Sequence, residues 1–347
     1  MSTTSKSPRR VLLAAYAVAK DALPDYAHRF SPKKFTQPQL LACLVLKEFF
    51  KTDYRGIEAI LADSPELVRA IQLEGVPHFT TLQKAAARLT RTAHVNRLLD
   101  AAIRLAQGTK TMKRRVRLAA MDGTGFESRH ISRYFIKRRE RGGHPLYQTT
   151  TYRRYPKLGA VCDCFSHMIL SVVPGRGPSP DSLHYQRALT DAVGRIPIDV
   201  LLADAGYDSE QAHVFARETH GVRAIIPPKK GRPTRKLPSG QYRRRMARRF
   251  DRSTYGQRWQ VETAFSMMKR CLGSSLRARS YWSQCRETML RVITHNVMIL
   301  YVQGGFLRSS GVPFSRPVRG GHHWLLRWWP IQGLVKSSSN DPFDNNQ

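Results

Sequence analysis

The chain is predicted to be an α/β protein: an all-helical N-terminal unit followed by a five-stranded mixed sheet flanked by helices. Three observations predict this class. Helix-start signals recur through about the first hundred residues. From Val116 the apolar pattern changes to short runs closed by Gly and Pro. Those runs follow the order three strands, helix, strand, helix, strand, and a further amphipathic helix comes after the last strand.

The first apolar run, "VLLAAYAVA", is preceded by Lys6, Arg9 and Arg10 and ends in Ala17-Val18-Ala19. That pattern resembles a short secretory signal. An amphipathic first helix is the preferred reading, because "KDALPDYAHRF" follows without a break. Next, "TQPQLLACLVLKEFF" offers Thr36, Pro38 and Gln39, a capping-box start. Leu40, Leu41, Leu44, Val45 and Phe49 then supply a helix-spaced apolar face. "DSPELVRAI" repeats the start signal at Ser64 and Pro65, and "TTLQKAAARL" at Thr80 and Gln83. The helical unit, residues 1–115, ends at the basic stretch "KTMKRRVR".

The second unit, residues 116–303, opens with "VRLAAMDGTG", a strand expected to stop at a Gly-rich turn. "LGAVCDCFSHMILSVVPGRG" is a hairpin turning near Ser166 and His167. A helix "DSLHYQRALTDAV", a strand "IDVLLADAG", a helix "DSEQAHVFARETHG" and a fifth strand "VRAIIPP" follow. The second of these helices is capped at Asp208 or Ser209 and closed by Gly221. Residues 229–252 then form a basic insertion without apolar period, carrying Lys229, Lys230, Arg232, Arg235 and Arg243 to Arg245. Such a run is a solvated loop or, as preferred here, a face for nucleic acid, where cations neutralise phosphates and release counterions. Residues 304–347 read as an irregular tail, interrupted by the aromatic stretch "HHWLLRWWP".

Fifty-eight basic residues against twenty-five acidic ones give a formal charge of +33. A charge of that size speaks about partners rather than fold. Nucleic acid is the first expectation and an anionic membrane surface the second. No run of eighteen apolar residues is present, so no membrane-spanning helix is expected. The five cysteines show no C-x-x-C pair, and Cys162 and Cys164 share one face of a strand as small apolar groups. An odd, scattered set fits a reducing compartment.

The helix "RWQVETAFSMMKR" carries two stripes. Val261, Phe265 and Met268 face a core at helical spacing. Tyr255, Arg258, Glu262 and Lys269 line the opposite side in steps of three, four and seven. Trp259, within the same stretch, is expected in the core rather than stacked on a base. Glu262 joins Asp122 in "MDGTG" and Asp204 in "LLADAGYDS" as a third carboxylate. Singly, each has an ordinary explanation: a turn residue for the two aspartates, and an i,i+4 pair with Arg258 for Glu262. Together, two aspartates ending adjacent parallel strands and a glutamate from a crossing helix concentrate negative charge in a very basic chain. Like charges held close repel unless cations neutralise them. Hard oxygen ligands suit Mg2+ or Mn2+, and two such ions about 4 Å apart clamp both oxygens of an in-line phosphodiester displacement.

With these residues in view, the chain resembles the DDE transposases of bacterial insertion sequences, in the insertion-sequence-four-like group. The resemblance covers roughly residues 35 to 300 and is most specific at the signature Tyr255, Arg258, Glu262, Lys269. "MDGTG" and "ADAGYDS" look like the family's two Asp motifs, and "FTQPQLLACLVLKEFFKTDYRGIEAILADSP" like its helical N-terminal region. The resemblance implies a ribonuclease-H-like catalytic fold. It implies that Asp122, Asp204 and Glu262 hold two Mg2+ or Mn2+ ions, and that Tyr255, Arg258 and Lys269 grip phosphates beside the cut. It implies DNA as partner, both element ends and target, with a homodimer assembled on it, no membrane, and a cytoplasmic, nucleoid-associated location. The activity implied is strand cleavage and strand transfer. The segment between Asp204 and Glu262 departs from some relatives in lacking a large folded insertion. Two other readings stay open: a ribonuclease-H-like nuclease without strand transfer, and a non-catalytic basic DNA-binding remnant.

Overall fold

The computed structural model describes residues 4–128, 155–229 and 237–300. Lys230, Arg232 and Arg235 of the basic insertion and the tail 304–347 lie outside the described residues.

Six helices come first. Helix α1 (Pro8–Ala22) starts at Ser7, whose hydroxyl accepts from the Arg10 backbone N–H, with Pro8 in the first turn. Its apolar run packs as core, with Val11, Leu12, Ala14, Ala15, Val18 and Ala19 all fully buried. Helix α2 (Gln37–Phe49) begins with the expected reciprocal box: Thr36 Oγ1 accepts from Gln39 N, and Gln39 Oε1 accepts from Thr36 N at 2.8 Å. The Gln39 amide also donates to the carbonyls of Ile71 and Gln72, tying this helix start to the end of α4 (Pro65–Ala70). Helix α3 (Tyr54–Ala62) is capped by Asp53. The start of α5 (Phe79–Leu89) departs from expectation: His78, not Thr80, is the cap, its imidazole accepting from Thr80 N. Helix α6 (Thr92–Gly108) closes the series and packs on α1.

The sheet has the spatial order β4-β3-β1-β5-β6. Strand β1 (Val116–Gly125) pairs antiparallel with β3 (Tyr155–Asp163), which pairs antiparallel with β4 (Ile169–Gly177). On its other side β1 pairs parallel with β5 (Ile198–Ala203), and β5 with β6 (Arg223–Ile225), so the sheet is mixed. The β3–β4 hairpin turns where expected, with Asp163 Oδ2 accepting from both the backbone and hydroxyl of Ser166. Strand β1 runs further than expected. "DGTG" is strand, with Asp122, Gly123, Thr124 and Gly125 opposite Ala160, Gly159, Leu158 and Lys157. The glycine in second place makes room rather than a turn: a Cβ on Gly123 would lie 1.8 Å from an Asp181 carboxylate oxygen.

Helix α7 (Tyr185–Val193) packs on β3 and β4. Helix α8 (Glu210–Val214) starts at Ser209 and continues as a π-helical turn, Phe215–Thr219. The basic insertion is not all loop. Residues Gln241–Arg248 form helix α9, which buries Met246 and is pinned by an ion pair between Arg243 and the buried Asp208. Its start is fixed by Glu210, whose carboxylate accepts from the backbone N–H of Tyr242 and Arg243. An acidic anchor therefore does what an apolar stripe does elsewhere, and no hydrophobic period announces it. After α10 (Arg252–Tyr255), helix α11 (Trp259–Leu272) packs on β1 and β3 and stops at Gly273, whose φ of 97° suits glycine. Two short strands, β2 (Glu127–Ser128) and β7 (Ser275–Leu276), pair in parallel beside it.

The last described element, α12 (Tyr281–Leu300), is absent from the sequence reading. It packs on α1, α2 and α6 and also on β3 and β4. Its apolar period is broken by polar groups that are buried and matched. The Asn296 side chain both donates to and accepts from the Ile169 backbone, and Arg291 donates to the carbonyls of Gly273 and Ser275 while pairing with Glu48 and Glu287. Among the described residues no helix is long and apolar enough to cross a membrane.

Candidate active site

The parallel pairing of β1 and β5 sets the site. Met121 lies opposite Ala203, so Asp122 and Asp204 follow side by side. Asp122 Oδ1 accepts from Gly123 N at 2.7 Å. Asp204 caps the 3-10 turn that follows β5, accepting from Gly206 N at 2.9 Å. Arg258, in the turn leading into α11, reaches Asp122 Oδ2 through one guanidinium nitrogen at 3.2 Å and Glu262 Oε1 through another. One guanidinium thus joins the strand aspartate to the helix glutamate. Burial pushes the Asp122 carboxyl above the ordinary carboxylate range, with Asp204 and Asp181 adding to the rise. The Gly123 N–H and Arg258 offset part of that rise and not all of it. Glu262 is the exposed member of the group, at 55% for its side chain.

The other sequence-predicted residues divide. Tyr255 is half-buried against Phe250, ring centroids 5.0 Å apart, and its phenol faces Arg258. Lys269 does not touch the three carboxylates. Its ammonium lies 5.4 Å from the centre of the Phe126 ring, near Glu127, and burial lowers its pKa. Trp259 is not core: it is 53% exposed. The reason is angular, because two residues on a helix turn about 200°, which sets Trp259 opposite the buried Val261. The i,i+4 pair of Arg258 with Glu262, the ordinary reading of that spacing, is present together with the contact to Asp122. Sequence reasoning missed Asp181, Lys157 and Tyr207, which border the same place. No spacing links them to the carboxylates, and only the folding of β3 and two 3-10 turns brings them near.

The donor set can be tested against a divalent ion. Among the described residues, no three or more His, Cys, Asp or Glu side chains stand close enough together, as placed, to hold a metal ion. The chemistry nevertheless fits a hard cation: oxygen donors only, on adjacent strands, with one of them held at an unfavourable charge by burial and like-charged neighbours. Glu262 extends from an exposed rotamer, so its carboxylate can turn without repacking the helix.

A five-stranded mixed sheet flanked by helices, with two aspartates where the parallel pairing of β1 and β5 ends, is consistent with a ribonuclease-H-like domain. A family model described as Transposase DDE domain matches residues 113–297, more than half of the 347 residues, and the chain belongs to that family. No curated protein matches the chain.

Proposed function

We propose that the protein is a transposase of the insertion-sequence-four-like group that cleaves and rejoins DNA at the ends of its own element. The observation that carries this reading is Arg258 joined to both Asp122 and Glu262, with Asp204 beside Asp122 on the neighbouring parallel strand. Asp122, Asp204 and Glu262 would hold two Mg2+ or Mn2+ ions. When bound, such ions neutralise charge at the attacking and leaving oxygens of an in-line displacement. Arg258 presents a planar fork to phosphate oxygens once Glu262 turns away from it, and Tyr255 orients that fork. Lys269 adds a point charge farther along the DNA. The helical unit 1–115 and the basic segment 229–252 contact the duplex, and a homodimer brings two ends together. A cytoplasmic, nucleoid-associated location follows from that substrate.

The test is a cleavage and strand-transfer assay with Mg2+ on DNA flanking the source gene. Glu262→Gln is expected to lower cleavage by on the order of 10²–10³-fold, as loss of a key electrostatic group does elsewhere, while end binding persists. Retained cleavage removes Glu262 from the chemistry. Cleavage without joining would identify a nuclease instead.

A further inference from the structure

Asp181 opens the 3-10 turn Asp181–His184 that follows β4. Its carboxylate lies directly over the backbone of Gly123, the residue after Asp122, closely enough that any side chain there would overlap it. Lys157, buried on β3, holds one of its oxygens at 2.9 Å and donates to the Ser179 carbonyl at the foot of the same turn. Close by, in the adjoining 3-10 turn, is Tyr207, 2% exposed, whose hydroxyl has no hydrogen-bond partner among the described residues. Burial raises the pKa of that phenol, and the negative charges that raise it further are Asp181, Asp122 and Asp204, in that order. A buried hydroxyl in the field of three carboxylates, and bonded to none of them, is a donor available to an acceptor that arrives with another group.

We propose that Asp181 is a fourth carboxylate of this site and a ligand for a divalent cation alongside Asp122, with the Tyr207 hydroxyl as the donor that orients them. This rests on reading the site as a divalent-metal centre. The charges agree with it. Among the described residues, the cations paired with Asp122, Asp181 and Glu262 are Lys157 and Arg258, two against four carboxylates once Asp204 is counted, which leaves net negative charge for divalent cations to neutralise. Among the described residues Lys157 alone pairs with Asp181, at one oxygen, which leaves the other to a ligand. Gly123 is then a requirement of the site rather than of the strand.

The experiment is a Mn2+ titration of the full chain followed by electron paramagnetic resonance, with folding checked by circular dichroism. Asp181→Asn and Tyr207→Phe should each weaken Mn2+ binding by about tenfold or more, the range for groups that hold or orient metal ligands. Should Asp181→Asn fail to fold, the pair Asp181→Asn with Lys157→Met removes both charges together and carries the same expectation. Asp122→Asn is the control. If it loses Mn2+ while Asp181→Asn matches the parent, the fourth ligand is refuted and the metal centre stands. If the parent itself takes up no Mn2+, the metal-centre reading fails and this inference falls with it.

Discussion

Arg258 holds two carboxylates that come from elements far apart in sequence, and that single side chain explains why a stripe on one helix matters. Tyr255, Arg258 and Glu262 were legible because helical spacing is local and period-driven. Lys269 shares their stripe by rotation and not by reach. Seven residues beyond Glu262 is about 10 Å along the axis, so it meets Phe126 and Glu127 instead of the carboxylates. Lys269→Ala is therefore expected to weaken DNA-end binding without changing Mn2+ affinity, and to reduce the salt dependence by about one phosphate contact. An unchanged slope in fluorescence anisotropy across a salt series would count against a phosphate role. Asp181 and Tyr207 were illegible for a different reason: a turn aspartate and a buried tyrosine are common, and only their approach to Gly123 and Asp122 sets these two apart.

Strands and capped helices could be read where side-chain chemistry is local. The Thr36–Gln39 box and the β3–β4 turn at Asp163 are such cases. Helices α9 and α12 could not, because long-range polar matches replace the apolar period that would have shown them. Helix α12 also carries a titration. His295 is buried, with Nε2 bonded to the His167 carbonyl, and burial pushes its pKa down to about 4 from an ordinary 6.5. The unfolded chain then takes up a proton that the folded chain refuses. Stability is full above about pH 6.5 and falls as pH drops toward 4, by up to roughly 3 kcal/mol from this group. His213, buried on α8 with a pKa lowered to about 4, acts in the same sense. Urea titrations from pH 7.5 to 4.5 should show this loss, and His295→Gln should flatten it. Equal slopes in parent and variant would mean that His295 is protonated in the fold.

Across the whole molecule, a formal charge of +33 makes DNA affinity strongly salt-dependent. Some of that charge is oriented. Arg243 faces inward to Asp208, while Arg244, Arg245, Arg248 and Arg249 line an open cleft on the other side of α9. Replacing Arg244 and Arg248 with Ala should lower the slope of log affinity against log salt by about 1.8 if each contacts one phosphate. Thermal unfolding should stay where it was, since neither side chain is buried. A parent-like slope would place the duplex on another face.

Helix α12 has a consequence for the order in which the protein can be made. It is the wall against which α1, α2 and α6 close, yet its last residue lies roughly 190 residues beyond the end of α6. At the usual pace of about 5–20 residues per second, a ribosome needs on the order of 10–40 s to cover that distance. For that interval the first helices are exposed with one seam open, and the faces of α1, α2 and α6 that meet α12 await a partner still being translated. Folding of the N-terminal half is thus timed by the synthesis of the C-terminal one, and whatever shields nascent apolar surface must act on this chain early.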